Sequence, residues 1–434
     1  MKPPSRSLVE RRYIIPFILI TSLFALWGFA NDITNPMVAA FKDIMKISNV
    51  EASMVQFAFY GGYATMALPA ALFIRRYSYK SGILVGLGLY AIGAFLFIPA
   101  AAFEQFSFFC ISLYVLTFGL AFLETTANPY ILSLGTKETS TRRLNLAQAF
   151  NPVGSLSGMA VASFIILPNL ISDQRDAAGQ LIHTDLTPAQ RAHDLAIIRD
   201  PYVAIGLVVL VVFIVIALAK MPRFNKENGK ISFSTSIRAL WKNGPYRWGV
   251  LAQIFYVAAQ IMVWTFIIQY ADALGIDKAT AQIYNIVAMS LSLSFRFIGT
   301  YFMKYVRPAR VLAIFGTGAM ICTLATILIH GMVGLYSLVA ISAFMSIMFP
   351  SIYGIALEKV HERDTSLGAA FLVMAIVGGA LMPPLQGAII DLGTITWLPA
   401  VNVSFVLPLF CFLVVTVYAL YILRRQKKEM LHLV

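Results

Sequence analysis

The hydrophobic pattern of this chain has no short period. Apolar residues come in runs of twenty or more, such as PYVAIGLVVLVVFIVIALAK from Pro201, set apart by brief polar segments. A helix that crosses a bilayer needs about 20 mostly apolar residues, whereas a barrel strand shows as roughly ten alternating ones. The pattern therefore predicts helices near 13–34, 52–74, 82–103, 106–134, 145–167, 201–220, 246–271, 280–303, 309–330, 332–357, 367–390 and 396–423. In lipid the backbone polar groups have to be satisfied inside the segment, which a helix does. The expected fold class is all-α and polytopic, with twelve transmembrane helices.

Composition agrees. Of the 434 residues, 59% are hydrophobic and 12% charged, against about 45–50% and 25% in soluble domains, which excludes a water-soluble fold. The formal net charge of +13 would suit a nucleic-acid partner only if the basic residues gathered on one face of a soluble domain. Here they mark topology instead, so no nucleic acid is expected. Of the 33 Lys and Arg, 26 fall on the side of the N-terminus, 6 on the other side, and one, Arg296, inside a span. By the positive-inside bias both termini are expected in the cytoplasm, which an even span number permits. The segment MKPPSRSLVERR leads into span 1 without a small-residue cleavage site and reads as a cytoplasmic lead-in. Cys110, Cys322 and Cys411 lie in apolar segments without metal-type spacing, so they read as packing residues, and no metal or cofactor is expected.

Two interruptions organise the chain. A polar segment, SDQRDAAGQLIHTDLTPAQRAHDLAIIRD, separates spans 5 and 6, and a basic one, KMPRFNKENGKISFSTSIRALWKNG, separates spans 6 and 7. The second is the expected half boundary, giving six-helix halves at 1–220 and 246–434 with a cytoplasmic linker at 221–245. An internal repeat supports it. FIRRYSYKSGIL after span 2 superposes on FMKYVRPARVL after span 8 at an offset of 229, pairing Phe73 with Phe302, Arg75 with Lys304 and Ile83 with Leu312. A second pairing sets AFLETTANPY against AFMSIMFPSIY. Two parallel six-helix halves with a site between them is the arrangement of major facilitator transporters. The glycines of GILVGLGLYAIG in span 3 superficially resemble a dinucleotide loop, but no strand precedes them. Gly82 and Gly86, like Gly154 and Gly158, have the spacing that lets membrane helices approach closely.

Burying a charge in a membrane costs about 2.5–3.5 kcal/mol on insertion scales, so ionisable residues inside spans are candidates for function. Glu124 lies mid-span 4 in GLAFLETTANPY, Asp32 toward the outer end of span 1 in LWGFANDITNP, and Arg296 in span 8 in LSLSFRFIGT. A proton-coupled carrier needs a group that is protonated in one state and charged in another, and a desolvated carboxyl can serve. With no histidine in the core, Glu124 is the leading candidate; pairing with a basic residue or capping a broken helix is the plainer alternative. Asp32 is a second candidate for coupling, or a charge solvated at the outer interface. Arg296 stands near the cytoplasmic end of span 8, where its side chain can snorkel to the interface. Gating or packing is expected of it rather than sugar contact, and Arg75 after span 2 joins it as a gating candidate.

Sugar hydroxyls demand amide, acid and indole partners on a partly apolar surface. Span 5 supplies Asn145, Gln148 and Asn151 at spacings of three, one stripe of a helix, and Asn128 follows Glu124 by one turn in span 4. Span 7 adds Gln253, Tyr256, Gln260 and Trp264, whose indole can stack on a pyranose face; aromatic residues near span ends are also ordinary interface anchors.

These segments resemble the fucose:proton symporter family of the major facilitator superfamily, which also holds glucose and galactose carriers. The likeness runs over nearly the whole chain. It is carried by RRYIIPFILITSLFALWGFAN, YSYKSGILVGLGLYAIGA, GLAFLETTANPY, RLNLAQAFNPVG, RWGVLAQIFYVAAQ and SAFMSIMFPSIY. The resemblance implies that Glu124 takes part in proton coupling with Asn151 beside it, and that Gln148 lies near the sugar. In span 1 the family pattern has an aspartate where this chain has Asn35, which cannot titrate, while Asp32 stands one turn earlier on roughly the same face. Two readings stand: Asp32 takes over the span 1 role, or coupling runs through Glu124 alone.

The expected function is proton-coupled uptake of a fucose- or hexose-type sugar by alternating access, without covalent chemistry. The expected setting is a bacterial inner membrane, its bilayer the surrounding partner, with a monomer as the family expectation. The rivals are an exporter of drugs or metabolites, against which the amide stripe argues, and a sugar sensor that binds without translocating.

Overall fold

The computed structural model describes residues 8–47, 49–173, 185–222, 233–276, 278–390, 394–395 and 398–431. Each predicted span is helical over most of its described length, the last of them from Ala400. In order, spans 1 to 6 are Ile14–Met45, Asn49–Arg76, Tyr79–Phe95 with Phe97–Phe103, Phe106–Ser133, Ser140–Gln148 with Phe150–Val161, and Pro188–Leu218. Spans 7 to 12 are Gly244–Asp272, Lys278–Phe302, Pro308–Leu328, Met332–Met345 with Met348–Leu357, Thr365–Met374 with Gly378–Ile390, and Ala400–Ser404 with Val406–Leu431. Among the described residues eleven helices are long and apolar enough to cross a membrane; Asn49–Arg76 is the twelfth predicted span. A linker helix, Phe233–Lys242, precedes span 7, and a two-stranded ribbon pairs Thr394 with Pro399 and Ile395 with Leu398 ahead of span 12.

Proline explains the breaks in four of the five divided spans; the one in span 11, at Ala375–Val377, has no proline four residues on. A helical N–H of residue i bonds the carbonyl of residue i−4, and proline has no N–H to give. Pro99, Pro152, Pro350 and Pro408 each stand four residues after Phe95, Gln148, Ser346 and Ser404, and those are the places where spans 3, 5, 10 and 12 divide. Pro69, Pro129 and Pro201 are absorbed within continuous helices. Hydropathy alone misplaces some ends. Span 6 begins at Pro188, not near 201, because Thr187 and Gln190 form a capping box and Pro188 occupies the first helical position. Helix thus starts in a polar segment that the apolar run does not mark. The repeat holds at the helix boundary: Ser78 and Arg307, which are 229 residues apart, are the N-caps of spans 3 and 9.

The chain forms two compact units. The first comprises Met1–Ile14, Asn128–Pro152 and Lys226–Val434; the second comprises Ile15–Ala127 and Val153–Asn225. In the second, small residues set the helix spacing as the sequence predicts. A Cβ on Gly86 would fall 2.9 Å from the Leu123 side chain and 3.0 Å from the Gly119 carbonyl, and one on Gly154 would run into the Ala25 carbonyl. Span 5 therefore rests directly on the backbone of span 1. Gly154→Ala is expected to push the two apart, at an overpacking cost of about 1–3 kcal/mol or more. A thermal melt of the detergent-solubilised protein should show Tm lower by about 1–3 °C, and an unchanged Tm would mean that the contact yields. In the same unit the Phe97 and Tyr202 rings stack at 3.8 Å, and the Tyr202 hydroxyl is 2.9 Å from Thr34 Oγ1. Lys80 Nζ donates to the carbonyls of Ala217 and Ala219, a cation at the C-terminal end of span 6.

In the first unit, tyrosine hydroxyls tie span to span. Tyr246 donates to the Gly368 carbonyl at 2.9 Å, Tyr256 to Met345 at 3.1 Å and Tyr418 to Pro245 at 3.2 Å. Asn402 Nδ2 donates to both the Tyr270 hydroxyl and the Thr326 carbonyl at 2.9 Å, joining spans 7, 9 and 12. Cys110, Cys322 and Cys411 are free thiols, the last fully buried.

Candidate functional site

A buried amide pair of the first unit lies at the break in span 5. Gln148 is the last residue of the first half of span 5, and Asn128 lies in span 4 one residue before Pro129. Both are buried, and Gln148 Nε2 donates to Asn128 Oδ1 at 2.8 Å. The amide stripe predicted on one helix is in fact carried across the break at Ala149: Asn145 and Gln148 are buried before it, and Asn151 is half-buried after it. Asn145 does not join the pair; its Nδ2 donates to the Thr141 carbonyl at 2.9 Å and to Ser351 Oγ at 3.3 Å.

Arg296 belongs to this cluster. It is 5% exposed, so it does not snorkel to an interface as its place near the end of span 8 had suggested. The cause is local: main-chain carbonyls on spans 5 and 10 receive its guanidinium. Nε donates to Ser346 O at 2.5 Å, and Nη1 to Gln148 O at 2.8 Å. On span 7, Gln253 and Tyr256 are buried, while Gln260 and Trp264 are half-buried; the Trp264 indole donates to Ser342 Oγ at 3.1 Å. That bond fixes the ring against span 10.

Arg143 escaped the sequence reading. As a basic residue in a short loop it looked like a topology marker, yet it is fully buried. Its guanidinium donates to the carbonyls of Ile131 at 3.0 Å, Leu132 at 2.6 Å, Thr136 at 3.3 Å and Leu8 at 3.4 Å, and to Thr139 Oγ1 at 2.8 Å. It thus fills the C-terminal end of span 4, where helix carbonyls have no partners of their own. Gly135, at φ +152°, lies against it, and a Cβ there would stand 2.8 Å from Nη1. This clamp sets the ends of spans 4 and 5 that carry Asn128 and Gln148. The signal in the sequence was the Gly135 turn followed by an arginine inside an otherwise apolar, amide-bearing segment.

The carboxylates belong to the second unit. Glu124 is 1% exposed, deep in span 4. Asp32 is half-buried in span 1. Span 2 carries a phenol within electrostatic reach of each, Tyr60 of Asp32 and Tyr63 of Glu124, and Tyr63 also interacts with Trp27. Phe59 packs edge-on against both tyrosine rings, at 5.7 and 5.9 Å, and Trp27 stacks on Phe24 at 5.6 Å. These aromatics were not singled out from the sequence, where they look like ordinary core. Arg75 is set apart, half-buried in the last turn of span 2. The side chain of Asn35 lies outside the described residues. Among the described residues no group of three or more His, Cys, Asp or Glu could hold a metal ion.

Chemically, the first unit offers a desolvated amide pair, an indole and a guanidinium, and the second a buried carboxyl with a phenol in electrostatic reach. Such sets suit a polyhydroxylated solute and a transferable proton. The Major Facilitator Superfamily model matches residues 18–383. An L-fucose-proton symporter of Haemophilus influenzae is 61% identical over 415 residues, covering 94% of this chain and 97% of that protein. An L-fucose-proton symporter of Escherichia coli is 35% identical, covering 94% and 93%. The crystal structure of a major facilitator transporter, FucP, in the outward conformation matches with a TM-score of 0.85 and 34% identity, covering 95% of this chain and 99% of that one.

Proposed function

The chain belongs to the major facilitator superfamily, and on that premise we propose that it takes up a sugar of the fucose class together with a proton. The observation that carries this reading is the nearly full-length likeness to two proteins named L-fucose-proton symporter. The buried carboxyl of Glu124 and the buried pair of Gln148 and Asn128 supply the two chemistries such a carrier needs.

In this reading the two halves, 1–220 and 246–434, expose a central polar site alternately to either side of a bacterial inner membrane, with both termini in the cytoplasm and the protein acting as a monomer. Glu124 takes the proton, and Asp32 at the outer end of span 1 is the second coupling group. Asn35, Asn128, Gln148, Asn151 and Gln260 meet the sugar hydroxyls, and the Trp264 ring covers an apolar sugar face. Arg75 and Arg296 act as gating residues. Protonation lets the sugar-loaded carrier reorient. One charge moved through 100 mV is worth about 2.3 kcal/mol, which sustains roughly a 40-fold sugar gradient.

Proteoliposomes with an imposed inward proton gradient test this reading. Labelled L-fucose should accumulate, more strongly as the external pH is lowered, and a protonophore should release it. Accumulation that follows a sodium gradient and ignores the protonophore, or that favours glucose or galactose over fucose, would overturn it.

A further inference from the structure

Arg296 makes two described hydrogen bonds, both to main-chain carbonyls, and no carboxylate pairs with it among the described residues. Those acceptors are not arbitrary. Gln148 stands four residues before Pro152, and Ser346 four before Pro350. Neither carbonyl can receive the usual helical bond from residue i+4, because proline lacks the N–H. One half-helix, Ser140–Gln148, ends at the first; the other, Met332–Met345, has Ser346 as its C-cap. Each end also carries the negative pole of its helix, which suits a cation. A single buried guanidinium thus serves two carbonyls that two prolines have set free.

We propose that Pro152 and Pro350 build the receptor for Arg296, and that the resulting latch holds span 8 to spans 5 and 10 in this conformation and opens during transport. The proposal deepens the gating role of Arg296 and rests on the alternating-access reading above. It also connects gate and site. The Gln148 side chain holds Asn128 while its carbonyl holds Arg296. A sugar that draws on the Gln148 amide therefore acts on the same residue that the latch grips. Neither proline offers a polar side chain to sugar or proton, so both are positioning residues.

The test is Pro152→Ala. It restores an N–H that competes with Arg296 for the Gln148 carbonyl, removes no side-chain donor or acceptor, and places a good helix former in a helix, so folding should survive. Spin labels at Lys137→Cys and Lys304→Cys, both exposed positions on the turns after spans 4 and 8, are introduced into protein whose three native cysteines are replaced. Pulsed electron–electron resonance then reads their separation. The loss of one hydrogen bond should raise the population of a widened distance about fivefold. Arg296→Gln, which loses both bonds, should raise it at least as much, and the double variant should add little to Arg296→Gln, because both changes open one latch. Distances in Pro152→Ala that match the parent, or effects of Pro152→Ala and Arg296→Gln that simply add, would overturn the proposal. The readout needs neither a known sugar nor a known coupling ion. A latch that opens as expected in a protein that fails to accumulate fucose would sink the functional reading and leave this one standing.

Discussion

Glu124→Gln is expected to abolish sugar accumulation driven by a proton gradient while sparing the exchange of sugar for sugar. Glutamine has the size of a protonated glutamate and stays neutral, so it fits a site that is 1% exposed without a buried charge to accommodate. The variant should therefore fold and reorient when loaded. It cannot release a proton, so the roughly 40-fold gradient available at 100 mV should fall to equality across the membrane. Vesicle accumulation and counterflow, measured side by side, separate these effects. Loss of both would point to a structural role for Glu124. Asp32→Asn sharpens the result. Accumulation that survives it means that Glu124 couples alone, and accumulation that disappears means that the half-buried carboxyl of span 1 shares the task.

Gln148→Ala should raise the KM for sugar exchange by about 10- to 100-fold with a smaller change in maximal rate. The substitution removes a proposed sugar contact and the amide that donates to buried Asn128 Oδ1 at 2.8 Å. A sugar hydroxyl left without that amide inside a desolvated site costs about 1–3 kcal/mol, which corresponds to roughly that range. The main-chain carbonyl that Arg296 uses is untouched, so the latch should persist and the rate of reorientation with it. Exchange measured across sugar concentrations decides, and a KM equal to that of the parent would remove Gln148 from the site.

Most of the fold is legible in the sequence, because a bilayer leaves few choices: runs of about twenty apolar residues become helices. What hydropathy could not place are the helix ends that continue into polar sequence, as at Pro188, where a capping box and not burial starts the helix. The breaks within spans 3, 5, 10 and 12 were present in the sequence as prolines four residues downstream, yet Pro69, Pro129 and Pro201 give no break, so tertiary packing decides among them. For the candidate site, charge was the guide that the sequence offered. Glu124 stands out because a lone carboxyl in an apolar run is costly to insert, and it is buried. Arg143 and Arg296 were harder, because their partners are backbone carbonyls, which carry no sequence signature. Tyr60 and Tyr63 were hidden for the opposite reason: an aromatic among apolar residues looks like core until a carboxyl is found within electrostatic reach.

Sugar-induced pH change in lightly buffered cells that express the protein tests the central claim most directly. Addition of L-fucose should make the medium alkaline, as protons enter with the sugar, and Glu124→Gln cells at equal expression should give no shift. A medium whose pH stays constant while labelled fucose enters the cells would contradict proton symport.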